Sequence, residues 1–187
     1  MQVLGIVGAS DSGKTTLVER LVQRCEGRVA TVKHCTNPPD IDTERRDTAR
    51  HRAAGATETV ALTSDGDWFA TGESRSLTET LDVLAPDYDY AFVEGYSDAS
   101  FPKVVLGDRE VADPVIARFD SGEGAALDAI LAALDERDPY VTLSTLVESV
   151  KRSPDDDRAG AIATFTGRVR AKDGPEDPPT EHLEFER

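Results

Sequence analysis

The chain opens with a strand–helix–strand pattern of apolar and polar positions. Residues 2–7 form a short apolar run, which predicts a buried strand. Over residues 15–26 the apolar side chains recur at helical spacing, with Leu17 and Leu21 on one face. Residues 28–33 form a second apolar run. A strand, a helix and a strand within about thirty residues predict a βαβ unit with parallel strands.

The same alternation continues further along the chain. Strands are predicted at 57–63 and 67–71, joined as a hairpin through Ser64-Asp65-Gly66, and at 88–94, 103–106 and 115–119; helices are predicted at 43–54, 76–84 and 122–137. Strands that alternate with helices predict an α/β fold, with a mainly parallel central sheet flanked by helices.

The composition changes after residue 137, where Asp138-Pro139 begins a new segment. This segment predicts a short strand at 140–143, a helix at 144–151, a strand at 160–170 and a last strand from 182. We therefore expect two domains, residues 1–137 and residues 138–187.

The chain is strongly acidic, with 36 acidic against 21 basic residues and a formal charge of -15. Such a surface suits a high-salt cytoplasm, where screening weakens self-repulsion, although an ordinary acidic protein has the same composition. Nucleic-acid binding is disfavoured because phosphate contacts require a basic face. No apolar run is long enough to span a membrane, no export signal is present, and we expect a cytoplasmic protein.

The clearest motif is Gly8-Ala9-Ser10-Asp11-Ser12-Gly13-Lys14-Thr15, which fits G-x-x-x-x-G-K-[ST] at every fixed position. It lies between a predicted strand and a predicted helix, the context that a phosphate-binding loop requires. Backbone N–H groups of such a loop wrap a phosphate, the lysine contacts the β and γ phosphates, and the Thr15 hydroxyl ligates Mg²⁺. The motif predicts a nucleoside triphosphate but does not distinguish GTP from ATP.

Polar groups follow two other predicted strands. Glu94 ends the apolar run 88–93, and Lys33-His34 ends the run 28–32. Carboxyl ends of parallel strands face the ligand crevice, so Glu94 is a candidate for holding Mg²⁺ or polarising water. Lys33 and His34 are candidates for binding phosphate or a second substrate.

Further charged residues follow Lys33-His34. Asp40, Asp42 and Asp47 either tune the metal or are solvated charges, as is common in an acidic chain. The cluster Arg45, Arg46, Arg50 and Arg52 either receives an anionic second ligand or pairs with neighbouring acids on a helix surface.

These motifs together resemble the MobB family, the molybdopterin-guanine dinucleotide biosynthesis proteins B. The resemblance covers about residues 1–135 and rests on the phosphate loop through Thr16, Val32-Lys33-His34, Asp40-Ile41-Asp42, Asp47-Thr48, Arg52 to Ala56, Val93-Glu94-Gly95-Tyr96 and Pro102-Lys103-Val104. It departs at Cys35-Thr36-Asn37, where members often have more histidines, and at Glu44-Arg45-Arg46, where a glycine is common.

The resemblance implies a homodimeric protein that binds GTP and Mg²⁺, hydrolyses GTP weakly and assists a MobA-like nucleotidyltransferase that joins GMP to molybdopterin. Carried over by position, the resemblance implies that Gly8, Gly13, Lys14, Thr15 and Thr16 bind the nucleotide and that Asp42, Asp47 and Glu94 shape the metal side. The full candidate nucleotide site adds the loop residues Ser10, Asp11 and Ser12 and the strand-end residues Lys33 and His34. Thr15 is a further candidate metal ligand, and Lys14 and Glu94 are the candidate catalytic residues.

The last segment resembles the start of the MoaE family, the large subunits of molybdopterin synthase. Gly160 to Arg170 and Leu183-Glu184-Phe185-Glu186 carry this resemblance, which covers the first third of that family. It implies an incomplete α+β segment that lacks the catalytic residues of a synthase and contacts a MoaD-like small subunit. We expect residues 138–187 to be poorly packed or to rely on a partner.

Two other functions remain open. One is a non-catalytic adaptor in which the nucleotide sets a conformation for docking. The other is a small-molecule kinase, with the arginines of 45–52 as a lid over the phosphates.

Overall fold

A computed structural model describes residues 1–37, 47–152 and 161–166 of the 187-residue chain. The strands are β1 (Gln2–Gly8), β2 (Val29–Lys33), β3 (Glu58–Leu62), β4 (Trp68–Gly72), β5 (Tyr90–Glu94), β6 (Lys103–Leu106) and β7 (Val115–Phe119). The helices are α1 (Lys14–Arg24), α2 (Asp47–Ala53), α3 (Leu77–Leu84), α4 (Leu127–Asp135) and α5 (Leu143–Lys151).

Five strands form one sheet in the order β2-β5-β1-β6-β7, and every neighbouring pair is parallel. The predicted α/β class and the parallel βαβ unit are therefore confirmed. Strand β5 lies between β1 and β2, so the first two strands are parallel without being neighbours. This order brings Lys33 into register with Glu94 across the β2–β5 pair.

Helices cover the sheet because its central strands are apolar on both faces. On one face Leu4, Ile6 and Phe92 form a core with residues of α1 and α4. Leu17, Leu21, Ile130 and Leu134 are the fully buried members from those helices. On the other face Val3, Ala91 and Val93 pack with Leu81 of α3. Leu17 and Leu21, which the helical spacing in the sequence places on one face, are therefore on the buried face of α1.

The predicted hairpin is confirmed as the antiparallel pair β3–β4, a separate two-stranded sheet. Helix α3 begins after a capping box, in which the Ser76 side chain accepts from the Glu79 amide and the Glu79 side chain accepts from the Ser76 amide. Among the described residues, no helix is both long and apolar enough to cross a membrane.

Three predictions about secondary structure were wrong. Helix α4 begins at Leu127 rather than 122, because the carbonyl groups of Gly122, Glu123 and Ala125 accept hydrogen bonds from Arg20. Residues 140–142 form no strand. The Tyr140 amide donates a hydrogen bond of 2.8 Å to the Met1 carbonyl, but this contact does not extend into a ladder. Residues 161–166 form no strand either; the rest of the predicted strand 160–170 and the strand predicted from 182 lie outside the described residues.

The chain divides into two compact units, Met1–Leu146 and Val147–Arg187. In the first unit the hydroxyl of Tyr140 also donates to Asp82 at 2.8 Å, so this part of the segment after residue 137 is bonded to the α/β core. In the second unit residues 161–166 are exposed, and Phe165 retains 97% of its accessible surface.

Candidate nucleotide-binding site

The loop between β1 and α1 has the backbone geometry of a phosphate-binding loop. Gly13 caps α1 in the left-handed region, with φ 85°, and Asp11 also has a positive φ of 61°. A Cβ on Gly8 would lie 2.5 Å from Ser12 Oγ and 2.8 Å from the Leu106 carbonyl oxygen. Glycine is therefore required at both motif positions, for space at Gly8 and for conformation at Gly13.

The functional side chains of this loop follow from where α1 begins. Lys14 is the first residue of the helix, and its Nζ donates to the carbonyl oxygens of Gly8 at 3.1 Å and Ala9 at 2.5 Å. The ammonium group thus lies over the loop, at the positive end of the α1 dipole. This combination of a helix N-terminus and a lysine at the same point favours an anion such as a phosphate group.

Glu94 joins the loop to the neighbouring strands. Its Oε2 accepts from Thr15 Oγ1 at 3.2 Å, and its Oε1 lies 3.2 Å from Lys33 Nζ. The Glu94 side chain is only 14% exposed, whereas that of Lys33 is 56% exposed. Three predicted site residues from three different segments are therefore in direct contact.

The contact between Thr15 and Glu94 also tests whether the site fits Mg²⁺. Hydroxyl and carboxylate oxygens are the donors that this ion prefers, and Mg²⁺ commonly keeps several waters besides one or two protein ligands. The two oxygens are close enough to share one ion. The residues present therefore fit a phosphate-bound Mg²⁺.

These residues line an open cavity of about 460 Å³. Its lining consists of Ser10, Asp11, Gly13, Lys14, Thr15, Thr16, Lys33 and Glu94. His34 does not line this cavity; its ring stacks on that of Tyr96, with the ring centroids 4.6 Å apart and the ring planes at 28° to each other. Ser12 donates from its hydroxyl to the Ala9 carbonyl and shapes the loop from within.

Of the acidic residues Asp40, Asp42 and Asp47, the structure describes Asp47 alone, and Asp47 does not line this cavity. Asp42 lies outside the described residues, as do Arg45 and Arg46. Asp47 begins α2, and its exposed carboxylate accepts from Arg50 at 3.3 Å. Within the described ranges, no group of three His, Cys, Asp or Glu side chains could hold a metal by itself.

Sequence reasoning missed two contributors to this site. Gly122 donates from its amide to the Ser12 carbonyl at 3.1 Å, and Arg20 holds the carbonyls of the same loop. Ser121-Gly122-Glu123-Gly124 has the composition of a loop that approaches another backbone closely, which was the available signal. Its partner, however, is more than a hundred residues away in the chain.

Comparison with known proteins identifies the family. The sequence model of MobB, "Molybdopterin guanine dinucleotide synthesis protein B", matches residues 3–138. The chain belongs to the MobB family. The match covers the phosphate-binding loop and all of the sheet except Gln2, so the resemblance recognised in the sequence is confirmed for this part of the chain.

Two relatives match different lengths of the chain. A "Probable molybdopterin synthase" of Haloferax volcanii is 44% identical over all 187 residues, which are 67% of that protein. A "Putative molybdopterin-guanine dinucleotide biosynthesis adapter protein" of Methanocaldococcus jannaschii is 36% identical over 120 residues, 60% of this chain and 50% of that protein. The chain thus spans between half and two thirds of the length of these relatives.

Solved structures show the same fold. "The Crystal structure of Bacillus subtilis MobB" matches with a TM-score of 0.57 and 23% identity, over 73% of this chain and all of that one. A "Crystal Structure of molybdopterin-guanine biosynthesis protein B (mobB)" matches with a TM-score of 0.52 and 25% identity, over 72% of this chain and 99% of that one.

Proposed function

We propose that this member of the MobB family binds GTP with Mg²⁺ and hydrolyses it slowly, and so assists attachment of GMP to molybdopterin by a MobA-like nucleotidyltransferase. The contact between Thr15 and Glu94 carries the proposal, because it brings a carboxylate next to the hydroxyl of the phosphate-binding loop, a pair of oxygens that fits Mg²⁺. The preference for GTP over ATP is inferred from the family, since the motifs by themselves do not distinguish the two nucleotides.

The described residues have distinct roles in this proposal. The amides of the Gly8–Thr15 loop and the ammonium of Lys14 bind the β and γ phosphates and offset their charge. Thr15 and Glu94 hold Mg²⁺, which when bound neutralises charge that develops on the phosphoryl oxygens. Lys33 orients the Glu94 carboxylate through their 3.2 Å contact.

Slow turnover is expected because, among the described residues that line the cavity, the cations are Lys14 and Lys33 and no arginine is present. An arginine aimed at the transferred phosphoryl group commonly supplies a factor of about 10³–10⁵ in rate. A partner that provides such a group would accelerate hydrolysis.

A second candidate function is that of an adaptor without useful catalysis. It is favoured by the printed names of relatives from Methanocaldococcus jannaschii and Haemophilus influenzae, which are called adapter proteins. In this case the bound nucleotide sets a conformation for docking, and hydrolysis has no part in the function.

The segment after residue 137 supports a further part of the proposal. The Haloferax relative matches it together with the rest of the chain and is called a probable molybdopterin synthase. We propose that residues 138–187 begin a MoaE-like segment that contacts a MoaD-like small subunit, in a homodimeric cytoplasmic protein.

Calorimetric titration of GTP and of ATP with Mg²⁺ in molar KCl tests the nucleotide site. We expect saturable GTP binding, weaker ATP binding, and a loss of about tenfold or more in Lys14→Ala, because charged hydrogen bonds contribute about 1.5–3 kcal/mol. The control is Lys151→Ala, which removes a lysine that pairs with Glu148 instead. Failure of the wild type to bind GTP would contradict the proposal.

Glu94→Gln then separates the enzyme from the adaptor. The substitution keeps the size of the side chain and removes its charge. If hydrolysis supports the function, this variant loses GTP turnover and cofactor assembly together. If the adaptor function is correct, cofactor assembly persists when turnover is lost.

A further inference from the structure

The loop that follows β7, residues 120–126, lies beside the phosphate-binding loop. The Gly122 amide donates to the Ser12 carbonyl at 3.1 Å. A Cβ on Gly13 would lie 2.9 Å from the Gly122 nitrogen and 3.8 Å from the Glu123 nitrogen. Gly13 also lines the open cavity at the phosphate-binding loop. The backbone at Glu123 therefore borders a residue of the cavity wall.

Arg20 of α1 holds the loop after β7 in this position. Its guanidinium group donates to three carbonyl groups of that loop, those of Gly122, Glu123 and Ala125. Hydrogen bonds from a charged donor are stronger than neutral ones. Helix α1 also begins with Lys14 of the phosphate-binding motif, so one helix carries the phosphate site and fixes the neighbouring loop.

The strand order determines which end of a bound nucleotide faces the loop after β7. In the order β2-β5-β1-β6-β7, Glu94 and Lys33 lie on one side of β1, and the loop after β7 lies on the other. In the proposed complex Thr15 and Glu94 hold Mg²⁺, an ion that bridges the β and γ phosphates. The γ phosphate is then on the β5 side of the phosphate-binding loop, and the nucleoside extends towards β7.

The chemistry of the loop after β7 suits a base rather than a phosphate. Residues 120–126 include two carboxylates, Asp120 and Glu123, and no basic residue. Both carboxylates are exposed. A carboxylate accepts hydrogen bonds from N–H donors and repels phosphate. Of the two, Glu123 is the residue whose backbone borders Gly13, whereas Asp120 directly follows β7.

Guanine and adenine differ at the edge that a carboxylate can recognise. Guanine has two donors side by side, the N1–H group and the amino group at C2, and a carboxylate accepts from both. Adenine has an acceptor at N1 and no amino group at C2, so a carboxylate at the same place would face a lone pair. One glutamate in this position therefore favours guanine and disfavours adenine.

We propose that Glu123 is the residue that selects guanine, with its carboxylate accepting hydrogen bonds from N1–H and from the amino group at C2. Arg20 positions the backbone from which this side chain extends. The inference rests on the proposed function, which takes GTP from the family, and it assigns to a residue of this chain a preference that the phosphate-binding motif does not encode.

The test begins with calorimetric titration of GTP, ITP and dGTP into the full chain with Mg²⁺. ITP lacks only the amino group at C2, and dGTP lacks only the 2′-hydroxyl of the ribose. The wild type binds ITP about tenfold or more weakly than GTP, because a site built to hydrogen-bond a substrate group rejects the analogue without it. It binds dGTP within about twofold of GTP. Loss of dGTP binding with ITP binding unchanged would assign the carboxylate to the ribose and overturn the proposal.

Glu123→Gln then tests the residue itself. This variant binds GTP about tenfold or more weakly and gains affinity for XTP, because xanthine has a carbonyl oxygen at C2 that accepts from the new amide. A variant that had only lost structure would bind every nucleotide more weakly. The matched control is Glu136→Gln, which removes the same charge from an exposed residue at the other end of α4 and leaves each affinity within about twofold.

The possible results separate this inference from the proposed function. If the wild type prefers GTP and Glu123→Gln keeps that preference, the role of Glu123 is overturned and the proposed function stands. If GTP and ATP bind equally and Lys14→Ala loses both, the phosphate site stands and base selection by Glu123 is overturned. A wild type that binds neither nucleotide contradicts the proposed function, and the role of Glu123 with it.

Discussion

Gly122 lies against Gly13 so closely that a Cβ on Gly122 would stand 2.0 Å from the Gly13 carbonyl oxygen. The contact joins the loop after β7 to the phosphate-binding loop, and the Gly122 amide strengthens it by donating to Ser12. The phosphate-binding loop is therefore supported from outside by a second loop that has no motif of its own.

The first prediction concerns this backbone contact. Gly122→Ala forces the two loops apart, and we expect a loss of about 1–3 kcal/mol in the free energy of unfolding, with at least tenfold weaker GTP binding. Gly124→Ala is the matched control, because a Cβ there would come no closer than 3.8 Å to Ser121 Oγ. Urea unfolding and calorimetry measure both effects; equal behaviour of the two variants would contradict the supporting role of Gly122.

The second prediction concerns Arg20, which joins α1 to the same loop. Its guanidinium group donates to the carbonyls of Gly122 at 2.6 Å, Glu123 at 2.7 Å and Ala125 at 3.3 Å. Arg20→Gln leaves three carbonyls without this partner, of which those of Gly122 and Ala125 are partly buried, and we expect about 1–3 kcal/mol of destabilisation.

Hydrogen exchange locates the effect of Arg20→Gln, because amides 121–126 should exchange faster while those of β1 keep their protection. Arg24→Gln, four residues further along α1, removes an exposed ion pair with Asp128 and should cost about 1 kcal/mol or less. Uniform loss of protection across the sheet would show that Arg20 acts on global stability instead.

The third prediction concerns Lys103 as a positioning residue. Lys103→Met removes the ammonium group that holds the Ala99 and Phe101 carbonyls, so the loop carrying Tyr96 should relax and unstack from His34. The His34 ring signals in the NMR spectrum should then move, because the ring current of Tyr96 is lost.

Val104→Ala provides the comparison for Lys103→Met. Val104 is buried on the same strand, and its truncation should cost about 1–3 kcal/mol without affecting that loop. If both variants melt at a lower temperature and neither moves the His34 signals, Lys103 contributes to stability only and does not position the loop.

The fourth prediction is a pH dependence at Tyr140. Burial, together with the hydrogen bond to Asp82, raises the pKa of Tyr140 to about 12. Above pH ~10 the unfolded state loses this proton while the folded state keeps it, so the stabilisation is complete below that pH and is lost as the pH rises through about 12. The difference in unfolding free energy between wild type and Tyr140→Phe should shrink over this window. A constant difference from pH 9 to 12 would contradict the raised pKa.

The sequence by itself determined the local parts of this protein. The motif from Gly8 to Thr15 specifies its loop because its glycines and lysine act over a few residues. The period of the apolar positions placed most of the strands and helices, since side-chain spacing differs between the two. These properties depend on neighbours in the chain, so they can be read without knowledge of the fold.

Tertiary structure alone decided which distant residues meet. Insertion of β5 between β1 and β2 placed Glu94 beside both Thr15 and Lys33. Helix α4 is shorter than its periodic pattern predicts because Arg20 binds the carbonyls of Gly122, Glu123 and Ala125, in the loop that approaches Gly13. Likewise, a lysine in an apolar strand became a buried anchor for a loop. Pairing across many residues is fixed by packing and strand order, which the periodicity of the sequence does not encode.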